Sequence, residues 1–255
     1  MRALITNDDG IGSDGLRTLA HAAIAAGLEV MVAAPGWDSS GAAASLTAVQ
    51  DHGRFLSSET ALEGIDARCV SLEASPAFIV RAAVHGSFGS PPDVVLSGVN
   101  RGLNCGYSVL HSGTVGAAMT ARTYGVPAIA FSIDSPADPR WITARTVATA
   151  VLDWFCETEP AVLLNVNIPD LDMVDIRGLR RAGLAAVGAV TTTVAQVDGG
   201  YVTLEYRAND ASAAPGTDVA LIRDGYATFT ALDPVCESRS ADSLAVTELP
   251  VGARA

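Results

Sequence analysis

Arg2-Ala-Leu-Ile-Thr-Asn-Asp-Asp-Gly10 is the stretch from which the rest of this 255-residue chain can be read. Ala3, Leu4, Ile5 and Thr6 suit a buried strand, and the apolar run stops at Asn7, Asp8, Asp9 and Gly10. Two adjacent carboxylates at the end of a core strand repel one another and lose hydration. A positive charge is therefore expected beside them, and a hard divalent cation is the natural candidate. In an open α/β sheet the carboxyl ends of the strands are also where ligands bind. The same residues suit a second role, capping the next helix and opening a turn. From this stretch alone, metal site and cap both stay open.

The chain then alternates. Gly10-Ile-Gly-Ser-Asp-Gly15 spells G-x-G-x-x-G and leads into a helix from Leu16 to about Ala26. That is the dinucleotide fingerprint in its strand–turn–helix setting. Two features oppose it: Asp8 and Asp9 would face a pyrophosphate, and the second strand, Leu28–Ala34, ends in Ala-Ala-Pro without the acidic residue that holds a ribose. The glycines are read instead as serving a tight turn and close helix–strand packing. Gly36-Trp-Asp-Ser-Ser-Gly41 follows as a polar loop at the same sheet edge, its serines fit for metal ligation or for an ordinary turn. Ala44–Thr47 and Ala67–Leu72 are expected as short strands, and Pro76–Val84 as a helix with Pro in its first turn.

Pro92–Ser97 is expected as a buried strand ending in Gly98-Val-Asn-Arg-Gly-Leu-Asn-Cys-Gly-Tyr107, a loop that lets backbone and amides approach a ligand. Ser112-Gly-Thr-Val115 opens a helix whose free N–H groups and positive dipole end suit an anion, with N-capping by Ser112 as the plain and compatible reading. Gly125–Ser132 and Ala161–Pro169 are further strands, with a helix from Trp141 to Cys156 between them. Strand and helix alternate to about residue 170, the signature of a parallel sheet covered on both faces. Beyond it, Val187–Val197 and Tyr201–Arg207 flank Asp198-Gly-Gly200 and read as a β-hairpin arm, and Tyr226–Leu232 as one more strand. The expected organisation is an α/β core over residues 1–185, with the hairpin and tail of 186–255 belonging to the same domain.

Composition narrows the function. With 49% hydrophobic residues the chain is globular, and the absence of a long apolar run gives no membrane span. The N-terminus lacks the layout of a signal peptide, so a soluble cytoplasmic protein is expected. A net charge of −12 argues against a nucleic-acid polymer as partner. Every basic residue is Arg, which excludes a lysine Schiff base and a P-loop lysine and leaves metal, backbone N–H groups and Arg to handle phosphate. Cys69, Cys105, Cys156 and Cys236 are scattered and read as reduced thiols.

Asn7-Asp-Asp-Gly10, Ser97-Gly-Val-Asn100 and Ser112-Gly-Thr-Val115 together resemble the SurE family, stationary-phase survival proteins that act as metal-dependent nucleoside monophosphate phosphatases. Ser40-Gly41, Ser45-Leu-Thr47, Gly125-Val-Pro-Ala128, Leu164–Pro169 and Pro215-Gly-Thr-Asp218 extend the resemblance to about residue 232. It implies a Rossmann-like three-layer parallel sheet and one divalent ion, Mg²⁺ or Mn²⁺, held by Asp8, Asp9, Ser40 and Asn100. It further implies a phosphate held near Asn7, Asn104, Ser112, Gly113 and Thr114, and assembly as a homodimer or homotetramer through the arm. The implied reaction is hydrolysis of a small phosphomonoester, a nucleoside 5′-monophosphate or a related pathway nucleotide. The alternative is a nucleotide- and metal-binding protein with little or no turnover. A haloacid-dehalogenase-type phosphatase would need Asp-x-Asp and a later Lys, which this chain lacks.

Several positions depart from the family pattern. Tyr107-Ser108 stands where the family has an acidic residue, His111 where it has tyrosine, Phe78 in place of an acid, and Thr120 in place of an acid. Gly36-Trp37-Asp38 replaces a loop that is often basic, and Arg239 takes a histidine position. His111 is read either as a proton donor to a leaving alcohol or as a wall histidine. The departures point to a shifted substrate or to weakened activity.

Overall fold

The computed structural model describes residues 1–134, 137–186, 188, 190–198, 201–208 and 213–236. It opens with β1 (Arg2–Thr6), α1 (Asp14–Ala25) and β2 (Glu29–Pro35). Two short pieces, β3 (Gln50–Asp51) and β4 (Arg54–Phe55), form a small hairpin before β5 (Ser57–Thr60), β6 (Arg68–Leu72) and α2 (Pro76–Val84). β7 (Val94–Arg101), a 3₁₀ helix (Gly106–His111), α3 (Gly113–Thr123), β8 (Ala128–Ile133), α4 (Trp141–Thr158) and β9 (Leu163–Ile168) follow. The chain then runs through β10 (Leu179–Arg181), β11 (Val190–Asp198), β12 (Tyr201–Ala208), α5 (Asp218–Arg223) and β13 (Ala227–Ala231).

Nine strands form one sheet in the order β10-β13-β9-β8-β7-β1-β2-β6-β5. The six from β9 to β6 are parallel, as the alternation of strand and helix predicts. Only the margins are antiparallel, where β5 pairs with β6 and β13 with β9. The residues of β1 alternate their faces: Ala3 and Ile5 join the apolar layer with Leu16, Leu19, Val147 and Phe155 of α1 and α4, whereas Leu4 joins Ile79, Val80, Val115 and Ala118 of α2 and α3. Burying those two stripes on opposite faces makes the three layers. Gly15 bears out its packing role, since a Cβ there would stand 1.9 Å from the Val99 carbonyl oxygen. α1 therefore lies closer to β7 than any other residue would allow.

The chain leaves β1 towards β2 and β6, then returns to β7 and walks the opposite way through β8 and β9. That reversal opens a crevice beyond the carboxyl ends of β1 and β7, the place where such sheets bind ligands.

Some expectations change. Ala44–Thr47 is not a strand: Ser75 draws it in instead, its hydroxyl donating to the Ser45 carbonyl (2.5 Å) and accepting from the Thr47 amide (3.2 Å). Backbone bonds hold it at two further points, from the Ser75 amide to the Thr47 carbonyl (2.8 Å) and from the Val49 amide to the Glu73 carbonyl (2.7 Å), which make an isolated bridge, Ala48–Ala74, and not a strand. β5 was unpredicted because all four of its residues are polar and exposed, so no apolar alternation marks it. β7 continues past Ser97 to Arg101 with a register shift against β8 between Ser97 and Asn100, so the glycine-rich loop begins later than the sequence indicated. The expected hairpin forms as a separate two-stranded sheet over Val190–Asp198 and Tyr201–Ala208, with Asp198 in the strand and not in the turn; Val187, the turn glycines Gly199 and Gly200, and Arg239 lie outside the described residues. Among the described residues no helix is long and apolar enough to cross a membrane.

Candidate active site at the switch point

β1 delivers Asp8 and Asp9 to the crevice, and Asn7 shapes the turn that carries them. The Asn7 amide donates to the Gly10 carbonyl (3.1 Å) and to the Ser13 hydroxyl (2.6 Å), which commits that side chain to bracing the loop and leaves its buried Oδ1 without a partner. Ser13 in turn caps α1, its hydroxyl accepting from the Leu16 amide. Capping of the next helix therefore falls to Ser13, and the carboxylates are left for another purpose.

Asp8 is almost wholly buried and reaches across to the start of α3, where the Thr114 hydroxyl donates to its carboxylate. Ser112 caps that helix, its hydroxyl accepting from the Val115 amide at 3.0 Å. Gly113 is what allows the contact: a Cβ there would lie 2.7 Å from Asp8 Oδ2 and 2.8 Å from Asp8 Cβ. The helix end that the sequence offers to an anion is thus already faced by a carboxylate. Burial pushes the Asp8 carboxyl above the ordinary range, against the pull of the Thr114 hydroxyl and backbone N–H.

Asp9 is driven the same way. Burial first and the neighbouring Asp8 charge second raise it to about 6, opposed by the Arg101 backbone N–H at 3.4 Å. Asp38, in the loop after β2, adds negative charge against both of them. Ser40 holds Asp38, its amide (2.9 Å) and hydroxyl (2.6 Å) both donating to Oδ1, which keeps Asp38 below its usual range. That loop is pinned over β1 by Ser39, whose amide donates to the Asp8 carbonyl at 2.7 Å. Residue 38 is the position whose charge the sequence singled out as unusual, but its reach to Asp8 and Asp9 shows only in three dimensions.

Asn100, near the end of β7, donates from its amide nitrogen to the Gly102 carbonyl (2.7 Å), which turns that group away and leaves the amide oxygen as an acceptor. Asn104 is buried in a network of amides. Its side chain donates to Ser132 (2.7 Å), its backbone amide to Asn167 Oδ1 (2.8 Å), and its carbonyl accepts from Asn165 (2.7 Å) and Asn167 (3.1 Å). His111 ends the 3₁₀ helix at the surface, one residue before the α3 cap, and Tyr107 of the same helix is 65% exposed. The other departures are structural: Phe78 packs edge-on against Phe55, with centroids 4.5 Å apart, and the Thr120 hydroxyl bonds back to the Gly116 carbonyl.

Sequence reasoning passed over Asn165, Asn167 and Asp218 as site components. The two asparagines recur at alternate positions of an apolar strand, a period that puts both on one face, and that was the available signal. Asp218 is fully buried and accepts from the backbone amides of Gly106 (2.7 Å), Ala185 (3.0 Å) and Val219 (2.8 Å), tying the 3₁₀ helix before α3 to the last part of the fold.

A divalent cation suits these residues. Among the described residues no three His, Cys, Asp or Glu side chains cluster as a metal site. A cation here would accordingly take two carboxylates, neutral oxygens of the Asn100 and Ser40 type, and water, the all-oxygen set that Mg²⁺ and Mn²⁺ accept. Burial raises both carboxyls, and the Asp8 and Asp38 charges push Asp9 further than the Arg101 charge pulls it back, so a divalent ion here would be stabilising.

Comparison with known proteins gives a consistent result. Residues 3–191 match the family model described as Survival protein SurE. The 5′-nucleotidase SurE of Pseudomonas entomophila (strain L48) is 37% identical over 239 residues, covering 91% of this chain and 92% of that protein. That of Stenotrophomonas maltophilia (strain R551-3) is 36% identical over 237 residues, covering 90% and 88%. The crystal structure of the SurE protein from Aquifex aeolicus superposes with a TM-score of 0.78 at 28% identity, over 96% of this chain and 98% of that one.

Proposed function

This chain belongs to the SurE family, and we propose that it is a nucleotidase, a divalent-metal-dependent phosphomonoesterase acting on nucleoside 5′-monophosphates or a close relative of them. The observation that carries the reading is the adjacent carboxylates of Asp8 and Asp9, both raised by burial, with Asp8 brought against the first turn of α3.

Asp8, Asp9, Ser40 and Asn100 would hold the ion, Mg²⁺ or Mn²⁺. When bound, such an ion supplies a Lewis acid for a phosphoryl oxygen and lowers the pKa of a coordinated water. The residues of the chain do the rest. Ser112, Gly113 and Thr114 present the positive end of α3 towards the side where phosphate charge develops. Asn7 and Asn104 hold the two loops that frame that position, Asn7 by bracing residues 10–13 and Asn104 through the buried amide network. Asp9, the more accessible of the pair, is placed to orient or deprotonate an attacking water. His111, exposed beside the helix start, is the candidate donor of a proton to the leaving alcohol.

The test is phosphate release from a panel of 5′- and 3′-mononucleotides with Mg²⁺, with Mn²⁺ and with chelator, beside Asp9→Asn. Release that needs the metal and disappears in the variant supports the reading. Nucleotide binding without release from any substrate by folded, metal-loaded protein would overturn it in favour of a binding protein on the same scaffold.

We also assign residues 1–185 to the core and 186–255 to an arm and tail used in self-association as a dimer or tetramer. The β11–β12 hairpin supports this, because among the described residues it does not pair with the nine-stranded sheet and suits pairing with a second copy. Light scattering that finds only monomer at micromolar concentration would overturn it.

A further inference from the structure

A groove of about 360 Å³ opens on the α1 side of Asp9, lined by the turn from Gly10 to Gly15 and by Trp37, Asp38, Arg101 and Trp141. We propose that this groove is the nucleoside subsite, with Trp37 and Trp141 taking the planar base and thereby favouring purine over pyrimidine substrates. The proposal rests on the phosphomonoesterase reading for its reaction, though its binding chemistry stands on this groove alone.

Charge decides which end of a substrate belongs here. Asp9, Asp14 and Asp38 line the groove, and Arg101 is the one cation among its described lining residues. Asp14 and Asp38 would repel a phosphate dianion along the groove, whereas the positive end of α3 lies on the Asp8 side of the proposed metal ligands. The uncharged part of the substrate is left for the groove, and its size is at the scale of small-ligand pockets.

The two indoles set what that part should be. Trp37 is 39% exposed although it stands beside buried carboxylates, in a loop tied down through Ser39 and Ser40. Trp141 starts α4 and is half-buried, with its ring edge fixed against α1: a Cβ on Gly15 would lie 3.3 Å from Trp141 Cη2. Trp141, its ring held against α1 and partly bare, loses little entropy when it stacks, and Trp37 adds an exposed ring on a loop whose backbone is tied down. Stacking tolerates any base but strengthens with ring area, which ranks purines first. The Arg101 guanidinium, exposed at the same rim, adds a planar cation that can lie on a base or meet sugar hydroxyls.

The experiment compares kcat/KM for adenosine 5′-monophosphate with that for ribose 5-phosphate, which carries the same phosphate and sugar but no base. In wild-type protein the ratio should favour the nucleotide, and Trp37→Ala should lower it about tenfold or more, the scale of one stacked base. Trp141→Leu should act in the same direction, while Trp154→Phe, in a different groove with Val151 and Phe229, should leave the ratio where it was. A ratio unmoved by Trp37→Ala overturns the proposal, and because Trp37 sits in an exposed loop that variant should fold even where Trp141→Leu does not. If wild type hydrolyses neither compound and none of the mononucleotide panel, the phosphomonoesterase reading has failed and the groove is judged by equilibrium dialysis of adenosine. Adenosine binding weakened about tenfold by Trp37→Ala would sustain the subsite, and no binding, or binding indifferent to Trp37, would overturn it.

Discussion

Replacing Asp9 by Asn should stabilise the metal-free protein at neutral pH while abolishing phosphate release. Burial, together with the Asp8 charge, lifts the Asp9 carboxyl from 3.8 to about 6. A carboxyl raised on folding favours the folded state fully below its unfolded value and loses that contribution as the pH rises through the folded value. Ionised Asp9 therefore works against the fold at pH 7.5, and the window of change runs from about 4 to 6. Roughly two units at about 1.4 kcal/mol each give a ceiling near 3 kcal/mol. Asp9 keeps part of its surface in water, so about half of that is the better expectation. For a chain of this size that is a melting temperature higher by about 3–6 °C.

The assay is thermal unfolding in chelator at pH 7.5 and pH 5, wild type beside Asp9→Asn. The variant should melt higher at pH 7.5, with the gap narrowing at pH 5 as wild-type Asp9 takes up its proton. Adding Mn²⁺ at pH 7.5 should raise the wild type more than the variant, because an ion that binds only the folded state stabilises it. A variant that melts below wild type in chelator at pH 7.5, or a gap that ignores pH, would refute the claim that Asp9 is held at the cost of stability.

Two further changes probe how the site is built. Gly113→Ala places a methyl group 2.7 Å from Asp8 Oδ2. It should reduce phosphate release about a hundredfold by shifting the carboxylate by the order of 1 Å; activity within threefold of wild type would show that Asp8 need not meet α3 so closely. Asp218→Asn keeps the shape of the side chain but offers a donor to one of the three backbone amides that the carboxylate now accepts from. Leaving a buried N–H unpaired should cost about 2–3 kcal/mol, read as a lower urea midpoint; an unchanged midpoint would remove Asp218 as the tie between the 3₁₀ helix and the rest of the fold.

What the sequence discloses follows from where each residue's information lies. The parallel core was legible because its strands are continuous apolar runs, and the reversal of strand order placed the crevice at the end of β1, where the two aspartates had already marked it. β5 was invisible because an edge strand with no buried side has nothing to alternate. The Asn165–Asn167 network and the Asp218 tie were passed over because a polar residue in an apolar strand, or at the head of a short helix, shows its cost in sequence but not the partner that offsets it.

Asp8 illustrates the limit most clearly. Its sequence allows two roles, a cap for the next helix, α1, or a ligand for a cation. The structure gives that cap to Ser13 and sends Asp8 a hundred positions along the chain, to Thr114 at the head of α3. A carboxylate at a helix start is stabilised by the dipole there, yet Asp8 stays above its ordinary pKa because burial first, and the Asp38 charge after it, outweigh that help. The end of α3 and the Arg101 charge together do not bring Asp8 and Asp9 back to the ordinary range. Capping and cation binding are therefore successive demands on the same carboxylate: α3 fixes its position, and the charge that remains uncompensated is what a divalent ion would answer.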